Sequence, residues 1–212
     1  AMDTGPPRSA LHLECHPNKV GAAFTFAYRV ENSCAVPLYV MDAMPGVDRD
    51  TQSALANPQA EVRIAALLAL FRARGLPVIH VHHDEAGTPF ARDMPTGAPM
   101  PCALPLPGEA VLWKSRSSAF AGTGLDAHLR QAGIDRLVVI GAVAAFCVTS
   151  TVRAAADLGF GVILPGDALL AFDIAAHDGG RIDPETVLRV TLSLLGADFA
   201  QLVTADQVAG RI

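Results

Sequence analysis

The chain has 212 residues, of which 51% are apolar and 17% charged. That length suits one ordinary domain burying roughly 70% of its unfolded surface, and that apolar content excludes a disordered polymer. A net charge of −5 argues against a nucleic-acid partner, because neutralising phosphates needs a basic face. No apolar run approaches the roughly 20 residues of a membrane span.

Residues 1–36 read as an N-terminal extension or arm. Within it, Val20 to Val30 carries Phe24, Phe26 and Tyr28 in alternation, the pattern of an extra strand or of an arm laid on a partner subunit. The first 20 residues lack a basic start followed by an apolar segment, so no secretory signal is expected and a cytoplasmic protein is. Cys15, Cys34, Cys102 and Cys147 form no CxxC pair and read as free thiols.

From residue 37 to 212 the pattern alternates strand and helix. Pro37 to Met41 is a short apolar run ending at Asp42 and a turn-like Met44-Pro45-Gly46. Asn57 as cap and Pro58 as first helical residue predict a helix start. Val62, Ile64, Ala65, Leu67, Leu68 and Phe71 then supply the apolar stripe, and Gly75 supplies the stop. Leu76 to Val81 is the next strand. Residues 84–109, rich in Gly and Pro and without periodicity, read as one long loop, a kind of segment that often carries function. Ala110 to Trp113 is a strand ending at Lys114. A helix around Leu125 and Leu129 closes at Gly133.

Leu137 to Ile140 is a strongly β-prone strand buried on both faces, followed by the small-residue turn Gly141 to Phe146 and a helix from Cys147 to Leu158. Gly161 to Leu164 is a strand, Asp183 and Pro184 open a helix running to about Leu195, and Phe199 to Val203 makes a last strand. Continuous apolar strands between amphipathic helices imply an α/β fold. The expected form is three-layer and Rossmann-like, with a parallel, roughly six-stranded sheet flanked by helices. In such sheets the site lies beyond the carboxyl ends of the strands, where Asp42, Lys114 and the turn before Cys147 all fall.

Cys147, at the start of a helix, sits in a positive partial field that favours the nucleophilic thiolate. The turn's amides are placed to stabilise an oxyanion. A carboxylate, Asp42, can take the thiol proton, and a lysine, Lys114, can stabilise the thiolate. Taken singly, each residue also reads as a buried thiol, a loop acid or a surface cation; their convergence at one sheet edge favours chemistry.

Three segments resemble the isochorismatase-like cysteine hydrolases, which include nicotinamidases and carbamoylsarcosine amidohydrolases. They are Pro37 to Asp48 (PLYVMDAMPGVD), Trp113 to Leu129 (WKSRSSAFAGTGLDAHL) and Leu137 to Ala168 (LVVIGAVAAFCVTSTVRAAADLGFGVILPGDA). The resemblance covers about residues 37–205. It implies a catalytic triad of Asp42, Lys114 and Cys147. It also implies a cis Ala142–Val143 peptide and an oxyanion hole of the Val143 and Cys147 amides. Met44 replaces a common glutamine, and Val143 and Ala144 replace common threonines, so the pocket departs from the family in polarity.

The expected function is cysteine-dependent hydrolysis of a C–N bond in a small amide, ureide or carbamoyl compound through a thioester. His83, Arg116 and Phe146 are the candidates for substrate binding. The alternatives are an isochorismatase-type vinyl ether hydrolase, which needs no thiol, and a non-catalytic binding module of the same fold. Some members of the family hold a metal, but the spacing of His80, His82, His83 and Asp84 does not match a ligand set. No metal and no organic cofactor are expected. His177 falls in a loop. The expected partners are a small-molecule substrate and further copies of the chain, as a homodimer or larger, with no nucleic acid and no membrane.

Overall fold

The computed structural model describes residues 38–41 (backbone), 55–88 and 90–212, the side chain of Thr96 excepted. Residues 1–36, the turn at Met44 to Gly46, and Asp42 lie outside the described residues. The elements in chain order are β1 (Leu38–Met41), β2 (Leu55–Ala56), α1 (Ala60–Ala73), β3 (Val78–His83), β4 (Ala110–Lys114), α2 (Leu125–Gln131), β5 (Arg136–Gly141), α3 (Thr149–Asp157), β6 (Gly161–Pro165), β7 (Ala171–Phe172), β8 (Ile174–Ala175), β9 (Arg181–Ile182), α4 (Pro184–Asp198), β10 (Gln201–Val203) and α5 (Ala205–Val208). The architecture is α/β, with strands in the order β10-β6-β5-β1-β3-β4 and every neighbouring pair parallel. The remaining short strands pair as two ribbons, β2 with β7 and β8 with β9.

β5 shows why the sheet holds. Leu137, Val138, Val139 and Ile140 are all fully buried. Leu137 and Val139 join a cluster with α2, α3 and α4 residues, while Val138 and Ile140 join another with α1 and α5 residues. One strand thus serves two cores, and each such side chain contributes about 1.5–3 kcal/mol by leaving water.

The helix after residue 57 starts later than Asn57-Pro58 suggests. It begins at Ala60, with Gln59 in the cap position. Asn57 is in the left-handed region at φ +56°, and its Nδ2 donates instead to the carbonyls of Gly166 at 2.8 Å and Leu169 at 2.9 Å. Tertiary hydrogen bonds have taken the side chain away from the cap. The buried stripe of α1 is Ala60, Ile64, Leu67, Leu68 and Phe71; Val62 and Ala65 face solvent. Gly75 does stop the helix, at φ +63°. α4 opens as expected, Asp183 accepting from the Thr186 amide at 2.8 Å, and continues three residues past Leu195. β3 runs to His83 rather than stopping at Val81.

Among its described residues, the loop over residues 84–109 contains two short 3₁₀ turns, Pro95–Gly97 and Pro101–Ala103. Glu109 at its end is tied to α1 and β3. Arg72 donates to both its oxygens (Nε 2.7 Å, Nη2 2.9 Å), the Leu106 amide donates at 2.7 Å, and His80 Nε2 lies 2.9 Å away. Among the described residues no helix is long and apolar enough to cross a membrane.

Candidate active site

Lys114 ends β4 and His83 ends β3, and the two are register partners in adjacent parallel strands. Register partners share a face of the sheet, so both side chains rise on the side of Ile79, Val81 and Leu112. Cys147 approaches the same face from above. Beyond β5 the chain turns at Gly141 (φ +112°), a conformation that favours glycine, passes the cis Ala142–Val143 peptide, and enters a π-helical turn at Ala144–Val148 that runs into α3. The helical run therefore begins three residues before Cys147, and the thiol lies within its first turn rather than at its opening. The cis peptide is where the resemblance puts it.

Fixed bonds hold this turn. The Ala144 amide donates to the Leu170 carbonyl at 2.8 Å, and Leu170 returns a bond to the Gly141 carbonyl at 3.1 Å. Thr149 Oγ1 donates to the Ala144 carbonyl at 2.8 Å. The Phe146 and Val148 amides both donate to the Val143 carbonyl, at 3.0 and 3.3 Å. Asn57, through the Leu169 carbonyl, braces the same segment from the other side.

The Lys114 ammonium lies at the centre. Lys114 is 3% exposed and Cys147 6%. Nζ lies 3.2 Å from Cys147 Sγ, 3.1 Å from His83 Nδ1 and 2.9 Å from the Arg116 carbonyl. An ammonium has three protons and no lone pair, so each of these three described partners serves it as an acceptor. Sulfur is then an acceptor of a Lys114 N–H.

His83 extends the chain of contacts outward. Its Nε2 stands 3.4 Å from Glu85 Oε2, and Phe90 meets its ring edge-on with centroids 5.7 Å apart. Burial, and then the Lys114 charge, hold its imidazole below the ordinary histidine range, against the opposing pull of Glu85 and Asp84.

Of the other candidates, Arg116 supplies its backbone carbonyl, while its exposed guanidinium meets the Ser115 carbonyl among the described residues. Phe146 is 55% exposed beside Cys147. Val143 is buried at the turn. Asp42 lies outside the described residues; β1, which it follows, ends between Val81 of β3 and Gly141 of β5. His177 is exposed in the turn between β8 and β9. His80 faces Glu109, and His82 is buried against Trp113 with ring centroids 5.1 Å apart. Among the described residues no group of three or more His, Cys, Asp or Glu is arranged to hold a metal ion.

Thr151 was not singled out by sequence, and Asn57 was read only as a helix cap. Buried Thr151 of α3 accepts the Ala119 amide at 3.0 Å and so anchors the segment after Lys114. A threonine inside a helical pattern gives no local sign of a partner 32 residues away.

Residues 42–181 match the isochorismatase domain, and the chain belongs to the isochorismatase family. An isochorismatase-family structure from Chromobacterium violaceum superposes with a TM-score of 0.81 at 34% identity, covering 89% of this chain and all of that one. Streptothricin hydrolase of Streptomyces noursei is 40% identical over 54% of this chain and 42% of its own length. N-carbamoylsarcosine amidase of an Arthrobacter species is 46% identical over 31% of this chain and 25% of its own.

Proposed function

We propose that the chain is a cysteine-dependent hydrolase of C–N bonds in a small amide, ureide or carbamoyl compound. The observation that carries this reading is the 3.2 Å contact between Lys114 Nζ and Cys147 Sγ in a buried setting. The similarity to streptothricin hydrolase and to N-carbamoylsarcosine amidase supports the bond type.

In the proposed reaction Asp42 takes the thiol proton and the Cys147 thiolate attacks the carbonyl carbon, with Lys114 balancing its charge. The carbonyl oxygen becomes an oxyanion. As the resemblance to the family implies, the Val143 and Cys147 amides are proposed to hold it. The tetrahedral intermediate collapses, the C–N bond breaks, and Asp42 returns the proton to the leaving nitrogen. Water then hydrolyses the thioester, releasing the acid and restoring the thiol. His83 and Phe146 are proposed to border the substrate. A thiol held against a cation has no use in vinyl ether hydrolysis or in plain binding, which ranks those alternatives lower.

The test is a screen of small amides, ureides and carbamoyl compounds with ammonia release as the readout. Turnover by the wild type and none by Cys147→Ala is expected. Equal turnover by both, or none by either across the set, overturns the proposal. The chain is also proposed to self-associate; light scattering at micromolar concentration giving the monomer mass of 22.1 kDa overturns that.

A further inference from the structure

We propose that His83 is a positioning residue for Lys114: the neutral imidazole accepts a hydrogen bond from the ammonium at Nδ1 and so aims Nζ at Cys147, and protonation of His83 releases that aim. The inference rests on the thiolate reading above.

Lys114 Nζ can only donate, so its 3.1 Å contact requires a bare lone pair on His83 Nδ1. A neutral imidazole has one bare and one protonated nitrogen. Its proton is therefore on Nε2, the nitrogen that faces Glu85 Oε2 at 3.4 Å. Donor and acceptor alternate along the whole line, from Cys147 Sγ through Lys114 and His83 to Glu85.

An imidazolium breaks that order. It would put an N–H against an ammonium on the register partner of the next strand, and like charges directly opposite in a sheet repel. The two cations must separate, and Nζ is the end of a flexible stem. The groups facing His83 are Lys114 from β4, Asp84 and Glu85 from its own chain, and the uncharged Phe90 edge. On the β1 side Asp42 lies outside the described residues. Burial and Lys114 outweigh Asp84 and Glu85 and hold the imidazole below the ordinary histidine range. A role as mere packing would not depend on which nitrogen is bare.

The experiment needs no substrate. Full-length wild type, His83→Leu, His83→Asn and Lys114→Met are alkylated with limiting iodoacetamide from about pH 5 to 9. Peptide mapping then gives the rate at Cys147 relative to Cys102. His83→Leu has no acceptor. Its Cys147 should react about tenfold more slowly at neutral pH, the size of one lost charge-assisted hydrogen bond. His83→Asn keeps an acceptor oxygen near the Nδ1 position and cannot become charged. It should recover most of that loss and fall less steeply than wild type on the acid side.

Two outcomes overturn the inference: His83→Leu reacting with the wild-type rate and pH profile, or His83→Asn reacting as slowly as His83→Leu. If Lys114→Met slows Cys147 while His83→Leu does not, this inference alone falls. If Lys114→Met also leaves Cys147 unchanged, the cation-supported thiolate falls with it.

Discussion

Asn57 combines a backbone role and a side-chain role that substitution can separate. Its φ of +56° costs a residue with a Cβ roughly 1–2 kcal/mol, which asparagine offsets with local hydrogen bonding and glycine avoids. Its Nδ2 ties α1's leading turn to the Gly166 and Leu169 carbonyls, next to the segment that braces the Cys147 turn. Asn57→Ala loses both bonds and keeps the unfavourable φ, so it should destabilise by about 2–3 kcal/mol in urea unfolding. Asn57→Gly loses the same bonds at a relaxed φ and should cost about 1 kcal/mol less. Equal losses for the two variants would show that the left-handed backbone contributes nothing. Thr151→Val is the comparable case inside a helix. It orphans the buried Ala119 amide and should cost about 1–3 kcal/mol by the same measurement.

The tie among α1, β3 and the approach to β4 runs through one carboxylate. Burial on its own would raise the Glu109 pKa. The bonds from Arg72, the Leu106 amide and His80 more than reverse that and hold it at about 2, against an ordinary 4.5. A carboxylate depressed in this way contributes stability that is fully present above about pH 4.5 and lost as pH falls from there towards 2. Glu109→Gln leaves Arg72 short of its counter-charge and should destabilise by about 2–4 kcal/mol at pH 7. Its deficit against wild type should shrink between pH 5 and 3, because there the unfolded wild-type chain takes up a proton at Glu109 that glutamine cannot. A deficit that stays constant over that range would show that the charge is not what Glu109 contributes.

Legibility in the sequence follows how local each cause is. β5 is plain because both of its faces are buried, which forces an unbroken apolar run. α4 is plain because Asp183 and Pro184 act within one turn. The start of α1 is hidden because Asn57 spends its side chain on carbonyls more than 100 residues away. Lys114 and Cys147 are marked by their places after apolar strands, but their 3.2 Å contact, and His83's on Lys114, depend on strand pairing that no local pattern records. Arg116 looked like a pocket cation by type; its carbonyl is the part that meets Lys114.

The two apolar clusters lie on opposite faces of a single sheet, and β5 has alternate residues in each. Neither layer can lose its partner without uncovering a strand face that the other layer needs, so the two should unfold together despite being separate in contact. Val138 and Val139 allow a clean comparison. They are neighbours in β5, both fully buried, identical in chemistry, and committed to opposite clusters. Val138→Ala and Val139→Ala should each cost about 2–3 kcal/mol, from lost burial plus the cavity left behind. Trp113, the single tryptophan, sits on the edge strand β4 and shares a face with His82, away from the Val139 cluster. If the sheet couples the layers, Val139→Ala must lower the urea midpoint seen by Trp113 fluorescence as much as the one seen by far-ultraviolet dichroism. Val138→Ala should do the same. Coincident transitions in both variants are the signature of one cooperative unit. A Val139→Ala protein whose dichroism shifts while its tryptophan transition stays at the wild-type midpoint would mean that the two faces melt separately. The strand ends carrying His83, Lys114 and the Cys147 turn would then rest on two independent supports instead of one.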